Sequence, residues 1–329
     1  GGALLARRVQ CGAERDTRLA RLAEAAAETD DVGGCHSPSF RPRPLNPFHP
    51  GRFLCQPGLA PAMLRDQLRA FLDEEGARWR DVTDDLVAGH ETSAVAVTRE
   101  DGVAAGIEEA VAVFDELGVD AAASVEDGDR ITAGDELFSV AGAADSVLRG
   151  ERLALNLAAS MSGVATATRR CVDRAGDTRV AATRKTTPGY RDFEKKAVRV
   201  GGGDPHRYSL ADAVLIKENH IAVVGLDAAV TEAIERASFT SVVEVEAETE
   251  AQALRAAELG ADVLLLDNMD PAETADCVAT LSEYGVTVEA SGGITPDNVA
   301  DYADAGVDVV SMGSLTHSSD WLDVSMVTD

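Results

Sequence analysis

Residues 241–293 read SVVEVEAETEAQALRAAELGADVLLLDNMDPAETADCVATLSEYGVTVEASGG, and their rhythm decides the fold. Three short runs, 241–246, 262–267 and 286–290, are dense in Val and Leu. Between them, 248–259 and 271–284 place their apolar residues at helical spacing. Apolar strands covered on both faces and separated by amphipathic helices indicate a parallel sheet. The pattern continues outward, with strands at 179–182, 213–217 and 307–312 and helices at 227–237 and 296–305. Periodicity leaves open whether the sheet is doubly wound or curls into a barrel.

Each of these strands runs into a polar residue or glycine at its C-terminal tip. Arg184 and Lys185 follow 179–182, Lys217 and Glu218 follow 213–216, and Glu246 closes SVVEVE. Asp267 closes VLLLD, Ser291, Gly292 and Gly293 follow TVEA, and Gly313 and Ser314 follow VVSM. One such residue is ordinarily a helix cap, a role open to Asp267 before Asn268. Six in succession mark the catalytic face of an α/β barrel.

Charge singles out one segment. Residues 183–220 (TRKTTPGYRDFEKKAVRVGGGDPHRYSLADAVLIKENH) hold all four lysines of the chain, Lys185, Lys195, Lys196 and Lys217. With four arginines against five acids the segment is +3, whereas the whole chain is −27. An acidic chain that gathers its lysines in one place predicts a multiply anionic ligand, bound by Arg forks and Lys point charges. The alternative is a basic helix face; Lys195, Lys196 and Arg199 lie at helical spacing and fit either surface charges or charges that support the site from behind its contact residues. Gly201, Gly202 and Gly203 form a mobile or tightly turning loop; G-x-G-x-x-G spacing is absent, so they are not a dinucleotide fingerprint.

The remaining chain divides in two. Residues 1–62 carry a net +2, and 37–62 contain seven of the eleven prolines, so this segment reads as a disordered extension. From Met63 a helix places Leu64, Leu68, Phe71 and Leu72 on one face, with 81–86 as an acidic loop. Short strands at 94–99, 103–106, 119–124 and 136–141, with a helix at 107–117, make a small N-terminal α+β domain over 63–143. A long helix over about 144–173 opens the second domain, 144–329. An acidic surface argues against nucleic acid or anionic membrane as partner. No apolar run reaches the roughly 20 residues that span a bilayer. Five cysteines without CxxC or metal-ligand spacing read as reduced thiols in a soluble, cytoplasmic protein. Scarce lysine and abundant acid suit a salt-rich cytosol.

The wording of 183–220 resembles the quinolinate phosphoribosyltransferase family. The matching pieces are Thr183 to Thr186, Glu194-Lys195, Gly201 to Gly203, His206-Arg207 and Leu215 to His220. The likeness extends over about 63–318, including Glu151 to Asn156 and Ser160 to Thr166 in the long helix. It implies an incomplete (open) α/β barrel of parallel strands after the small α+β domain. It also implies transfer of phosphoribose from phosphoribosyl pyrophosphate (PRPP) to quinolinate with loss of CO₂, giving nicotinate mononucleotide for NAD synthesis.

On that resemblance Arg184, His206, Arg207 and Lys217 would bind the two carboxylates of quinolinate, with Arg152 reaching in from a neighbouring subunit of a homodimer. Ser291, Gly292, Gly293, Gly313 and Ser314 would wrap the 5-phosphate of PRPP, since glycine lets backbone N–H groups approach a phosphate. Lys185 would lie near the pyrophosphate and ribose. Glu246 and Asp267 are hard oxygen ligands suited to Mg²⁺ shared with pyrophosphate, and either would stabilise a ribosyl cation. His220 and His317 are further candidates. Two other readings stay open: a paralogue using a different acceptor such as nicotinate, and a phosphate-ligand sensor that keeps the fold without turnover.

Overall fold

The structure is a computed structural model that describes residues 61–79 and 81–328. The N-terminal extension expected over 1–62 lies outside these residues except for its last two positions.

The first layer begins with helix α1 (Pro61–Glu74), whose Leu68 and Leu72 are fully buried as their spacing predicts. The acidic stretch that follows contains a single 3₁₀ turn, Asp84–Leu86. Strands β1 (Glu91–Thr98), β3 (Asp120–Ala123) and β5 (Glu136–Ala143) are antiparallel and packed by α2 (Ile107–Glu116). The expected strand over 103–106 is shorter, β2 (Gly102–Val103), and pairs with an unanticipated β4 (Arg130–Ile131). Phe114 of α2 and Phe138 of β5 are both fully buried, with ring centroids 6.1 Å apart. Each such side chain contributes about 1.5–3 kcal/mol by leaving water.

Helix α3 (Ala144–Ala175) is 32 residues long and serves both layers. Its first half packs on α2 through Val147, Leu153 and Leu157; Cys171 and Ala175 near its end join the core of the second layer. Two hydroxyls in its middle stitch the layers together: Ser162 Oγ accepts from Ala105 N at 3.0 Å, and Thr166 Oγ1 from Val103 N at 2.9 Å.

The second layer is a six-stranded parallel sheet. Its strands are β6 (Arg179–Ala182), β7 (Val214–Ile216), β8 (Val243–Ala247), β9 (Val263–Asp267), β10 (Thr287–Ser291) and β11 (Val309–Met312). Their order is β6-β11-β10-β9-β8-β7. The last strand therefore returns to pair with the first, while β6 and β7 do not pair: the barrel is open at that seam. Helix α4 (Arg191–Val200) and the loop to residue 213 connect these two strands, and the loop adds one parallel bridge, Ala181 to Asp204.

Outside the sheet run α5 (Glu218–Val224), α6 (Leu226–Arg236), α7 (Glu250–Leu259), α8 (Pro271–Leu281), α9 (Val299–Asp304) and α10 (Ser314–His317). One face of every strand, including Val180, Ile216, Val245, Leu264, Val288 and Val310, belongs to the apolar core that these helices cover. The chain ends in β12 (Val324–Thr328), which pairs antiparallel with β1. Its short, half-exposed run carries no clear strand signal, and no strand is expected beyond 307–312. The last strand of the chain thus completes the first sheet.

Candidate active site

Strand register decides what lines the inside of the open barrel. Leu215 pairs with Glu244, Glu246 with Leu265, Leu265 with Glu289, and Ser291 with both Asp267 and Ser311. Partners in register share a face, and alternate residues along a strand repeat it. The inner face therefore carries Glu244 and Glu246 on β8, Asp267 on β9, Glu289 and Ser291 on β10, and Ser311 on β11. Lys217 follows β7 on the same side.

At the strand tips, the Lys217 ammonium donates to Glu246 Oε2 across the β7–β8 edge. Asp267 on the next strand is held above the usual carboxylate range, first by burial and then by the charge of Glu246. Lys217 and Lys185 pull it the other way. Two carboxylates and two ammoniums thus act on one another at the mouth. A cleft of about 330 Å³ lined by Glu218, Asn219, Ile221, Ala222, Glu246, Glu248 and Gln252 opens beside Glu246.

Asp267 is not a helix cap. The cap of α8 is Asp270, whose Oδ1 accepts from Ala272 N and Glu273 N at 2.9 Å while Glu273 returns a bond to Asp270 N. Asp267 instead accepts from Asn268 Nδ2 at 2.7 Å. Asn268 has φ 58°, a left-handed backbone that a non-glycine residue rarely adopts and that concentrates at functional sites. It fits because Gly292, at φ 95°, has no side chain: a Cβ there would stand 2.3 Å from Asn268 Oδ1. The β10 glycine turn and the β9 carboxylate are thereby packed as one unit. The turn continues through Gly293 at φ 65°, whose carbonyl accepts from Asn298 Nδ2 at 3.3 Å. Gly313, after β11, is flanked by Lys185 and His317: a Cβ on it would meet Lys185 Cδ at 2.9 Å and His317 Nε2 at 3.1 Å. Ser314 Oγ donates to Ile294 O at 3.4 Å, linking the two glycine turns.

Several other cations of 183–220 gather around Lys195. Lys195 is not on a solvated helix face; it is fully buried, and its ammonium donates to the carbonyl of Pro205. Burial pulls it down to about 8, with Asp204 opposing and Arg191, Arg184 and Arg207 adding like charge. The Nε atoms of Arg184 and Arg207 are buried without a protein acceptor. Buried donors near one another and short of acceptors are a receptor for anionic oxygen atoms. Lys196, by contrast, is consumed by structure, pairing with Glu108, Glu109 and Asp127 at 2.8–2.9 Å. Gly201 and Gly203 are pressed against α3, where a Cβ on either would lie 2.5–2.6 Å from its atoms.

His206 sits beside this group at φ 55°, with Nε2 3.4 Å from Glu289 Oε2. Glu244 is its other acidic neighbour, held above the usual carboxylate range by burial and then by Glu289. Both glutamates were missed in the sequence. Their signal was present: a charged residue in the middle of an otherwise apolar strand, two positions before a polar tip, in VEVE and VEAS. His220 is structural, since its Nδ1 accepts from Lys217 N at 3.0 Å at the start of α5. Arg152 is exposed on the half of α3 that packs on α2, and among the described residues nothing ties it to the strand tips.

Similarity to known proteins follows the same architecture. The family model for the quinolinate phosphoribosyl transferase N-terminal domain matches residues 81–162, and the one for its C-terminal domain matches 164–327. A probable nicotinate-nucleotide pyrophosphorylase (carboxylating) of Methanothermobacter thermautotrophicus is 44% identical over 275 residues, covering 80% of this chain and 97% of that protein. The nicotinate-nucleotide pyrophosphorylase (carboxylating) of Rattus norvegicus is 40% identical over 240 residues, 71% of this chain and 80% of its own length. Among solved structures, NadC from Streptococcus pyogenes superposes with a TM-score of 0.77 at 37% identity, covering 82% of this chain and 98% of that one.

Proposed function

The chain belongs to the quinolinate phosphoribosyltransferase family, and we infer from this that it transfers the phosphoribosyl group of PRPP to quinolinate. The products are nicotinate mononucleotide, pyrophosphate and CO₂, a step of NAD synthesis. The observation that carries the assignment of the site is the succession Lys217, Glu246, Asp267 and Ser291 on one face of four neighbouring strand tips.

Departure of pyrophosphate builds positive charge on ribose C1 and negative charge on the leaving oxygens. Preorganised opposite charge at both places lowers the barrier. Lys185 would lie near the leaving group, and Glu246 or Asp267 would stabilise the ribosyl cation. Glu246 and Asp267 also fit Mg²⁺: two hard oxygen donors on adjacent strands, close enough that Glu246 raises Asp267. An ion held by these two carboxylates would supply positive charge toward the leaving group. The backbone turns at Ser291 to Gly293 and at Gly313 and Ser314 suit the 5-phosphate.

Arg184, His206, Arg207 and Lys217 form the carboxylate receptor, and the cations Arg184, Arg207 and Lys217, with Arg152, suit a dicarboxylate better than nicotinate. Once the ring nitrogen is quaternised, it stabilises the electron pair left on C2 when the 2-carboxylate departs as CO₂, and C2 then takes up a proton from solvent to give nicotinate mononucleotide. A second copy of the chain supplies Arg152, so the functional unit is a homodimer with shared sites. We place the reaction in the cytoplasm, where its highly charged substrates are retained. Among the described residues no helix is long and apolar enough to cross a membrane. The direct test offers the purified protein PRPP and Mg²⁺ with quinolinate or nicotinate as parallel acceptors, at low and high salt. Nicotinate mononucleotide from quinolinate alone supports the assignment; turnover of nicotinate alone contradicts it.

A further inference from the structure

His206 is the one proposed carboxylate-binding residue whose charge is not given by its chemistry: an imidazole is neutral above its ordinary midpoint, unlike Arg or Lys. Its surroundings supply what is missing. The ring is largely buried, and its Nε2 faces Glu289 Oε2 at 3.4 Å. Glu289 lies in the middle of β10, is 3% exposed, and keeps its other oxygen, Oε1, without a protein donor. The carboxylate has therefore been taken out of water into an apolar strand for the sake of few contacts, a costly placement unless its charge is used. The backbone of His206 is equally constrained. It is held left-handed at φ 55°, its N–H donates to Asp204 Oδ1 at 2.7 Å, and the buried Lys195 ammonium holds the carbonyl of Pro205 just before it. Strained backbone fixed from several sides is where a protein sets a side chain for function.

We propose that Glu289 is a positioning residue for substrate recognition: from the barrel floor it orients the His206 ring and supplies the counter-charge for its imidazolium, leaving Nδ1–H as the donor to a quinolinate carboxylate. The proposal rests on His206 belonging to the quinolinate site. The charged groups around the ring agree with it. Glu289 from β10 and Glu244 from β8 favour the cation, Lys195 from α4 opposes it, and Asp204 and Arg207 flank it on its own loop, Asp204 being itself tied to Arg179 at 3.2 Å. Burial alone lowers the ring; the Glu289 hydrogen bond, its charge and that of Glu244 outweigh this and leave it above the ordinary histidine value.

The test compares the wild-type protein with Glu289→Gln, which keeps the shape and removes the charge, and Glu289→Asp, which keeps the charge at shorter reach. The His206 midpoint is read by NMR of histidine-labelled protein, its signal assigned by its loss in His206→Gln. KM for quinolinate and for PRPP is measured across pH 6–9. In the wild type the midpoint lies above the ordinary value of about 6.5. Glu289→Gln lowers it by about one unit or more. The same change moves the rise in quinolinate KM to lower pH, so that KM at pH 7.5 increases about tenfold, the equivalent of one unit, while PRPP KM holds. Glu289→Asp restores part of both. An unchanged midpoint in Glu289→Gln, or equal rises in both KM values, overturns the proposal. If Glu289→Gln does not fold, a wild-type midpoint at or below the ordinary value overturns it alone. A wild-type protein that binds PRPP but does not turn over quinolinate refutes the assigned reaction instead, and the His206 midpoint still decides the pairing.

Discussion

Asn268 occupies the space that a β-carbon on Gly292 would need, the two being separated by 2.3 Å from the ideal Cβ position to Asn268 Oδ1. Both have left-handed backbones, at φ 58° and 95°, and Asn268 also holds Asp267 through a 2.7 Å hydrogen bond. A carboxylate suited to the metal and a turn suited to the phosphate are thus locked to each other across the β9–β10 edge. Gly292→Ala breaks this in two ways, by forcing Ala into a glycine conformation and by displacing Asn268. The expected loss is about 1–3 kcal/mol of stability from the strained backbone, with a rise in PRPP KM exceeding that in quinolinate KM. Thermal unfolding and steady-state kinetics check both parts.

Glu246→Gln leaves the shape of the mouth and removes one of the charges aimed at the reacting centre. Loss of one such group typically costs about 100- to 1000-fold in rate. Glu246 sits on a strand end and not within the apolar core, so the variant retains the wild-type circular dichroism and unfolding midpoint to within a few degrees. A kcat within about threefold of wild type would remove Glu246 from the chemistry.

Lys195 makes stability depend on pH with a definite sign. Its native midpoint, about 8, lies below the unfolded value of 10.5. Below pH 8 both states are protonated and the cost of burying the ammonium is borne in full. As pH rises from about 8 toward 10.5 the native state sheds the proton that the unfolded state still holds, and stability from this group increases. Lys195→Met lacks that term. The unfolding free energy of wild type minus Lys195→Met, measured by urea denaturation, should therefore rise between pH 7.5 and 9.5; a flat or falling difference would show that the surroundings offset the cost of burying the ammonium and that its midpoint is not lowered.

The proposal that Arg152 serves a neighbouring subunit makes a further prediction. Arg152→Ala and Lys217→Ala chains, each with activity reduced at least about 100-fold, should recover part of it when refolded together. A heterodimer carries one site free of both lesions if Arg152 serves the neighbouring subunit. Heterodimers demonstrated by tagged co-purification, with no recovered activity, would place Arg152 in its own subunit's site or outside both.

The barrel was legible in the sequence because its strands are covered on both faces. VVEVE, VLLLD and TVEA differ so sharply from the helices between them that β8, β9 and β10 begin and end within two residues of expectation. The polar tips were legible for the same reason, since nothing apolar explained them. Strand order was not, because pairing of β11 with β6 is a property of the closed side of the sheet and leaves no local mark. β12 was not, because its contacts are made with β1, more than 220 residues earlier. Spacing left Lys195 open between a surface charge and one supporting the site: its helical period fits a surface and a core equally, and only the packing of α4 against the 204–208 loop shows which. Glu244 and Glu289 were passed over because a single charge in a strand reads as tolerated until register places two on one face.

The central claim is that this site both transfers phosphoribose and removes the 2-carboxylate. Quinolinate labelled with ¹³C in that carboxylate, supplied with PRPP and Mg²⁺, separates this from any simpler transfer. The account predicts labelled CO₂, nicotinate mononucleotide and pyrophosphate in equal amounts, with no label left in the nucleotide. Nucleotide that retains the label, or pyrophosphate released without CO₂, would contradict it.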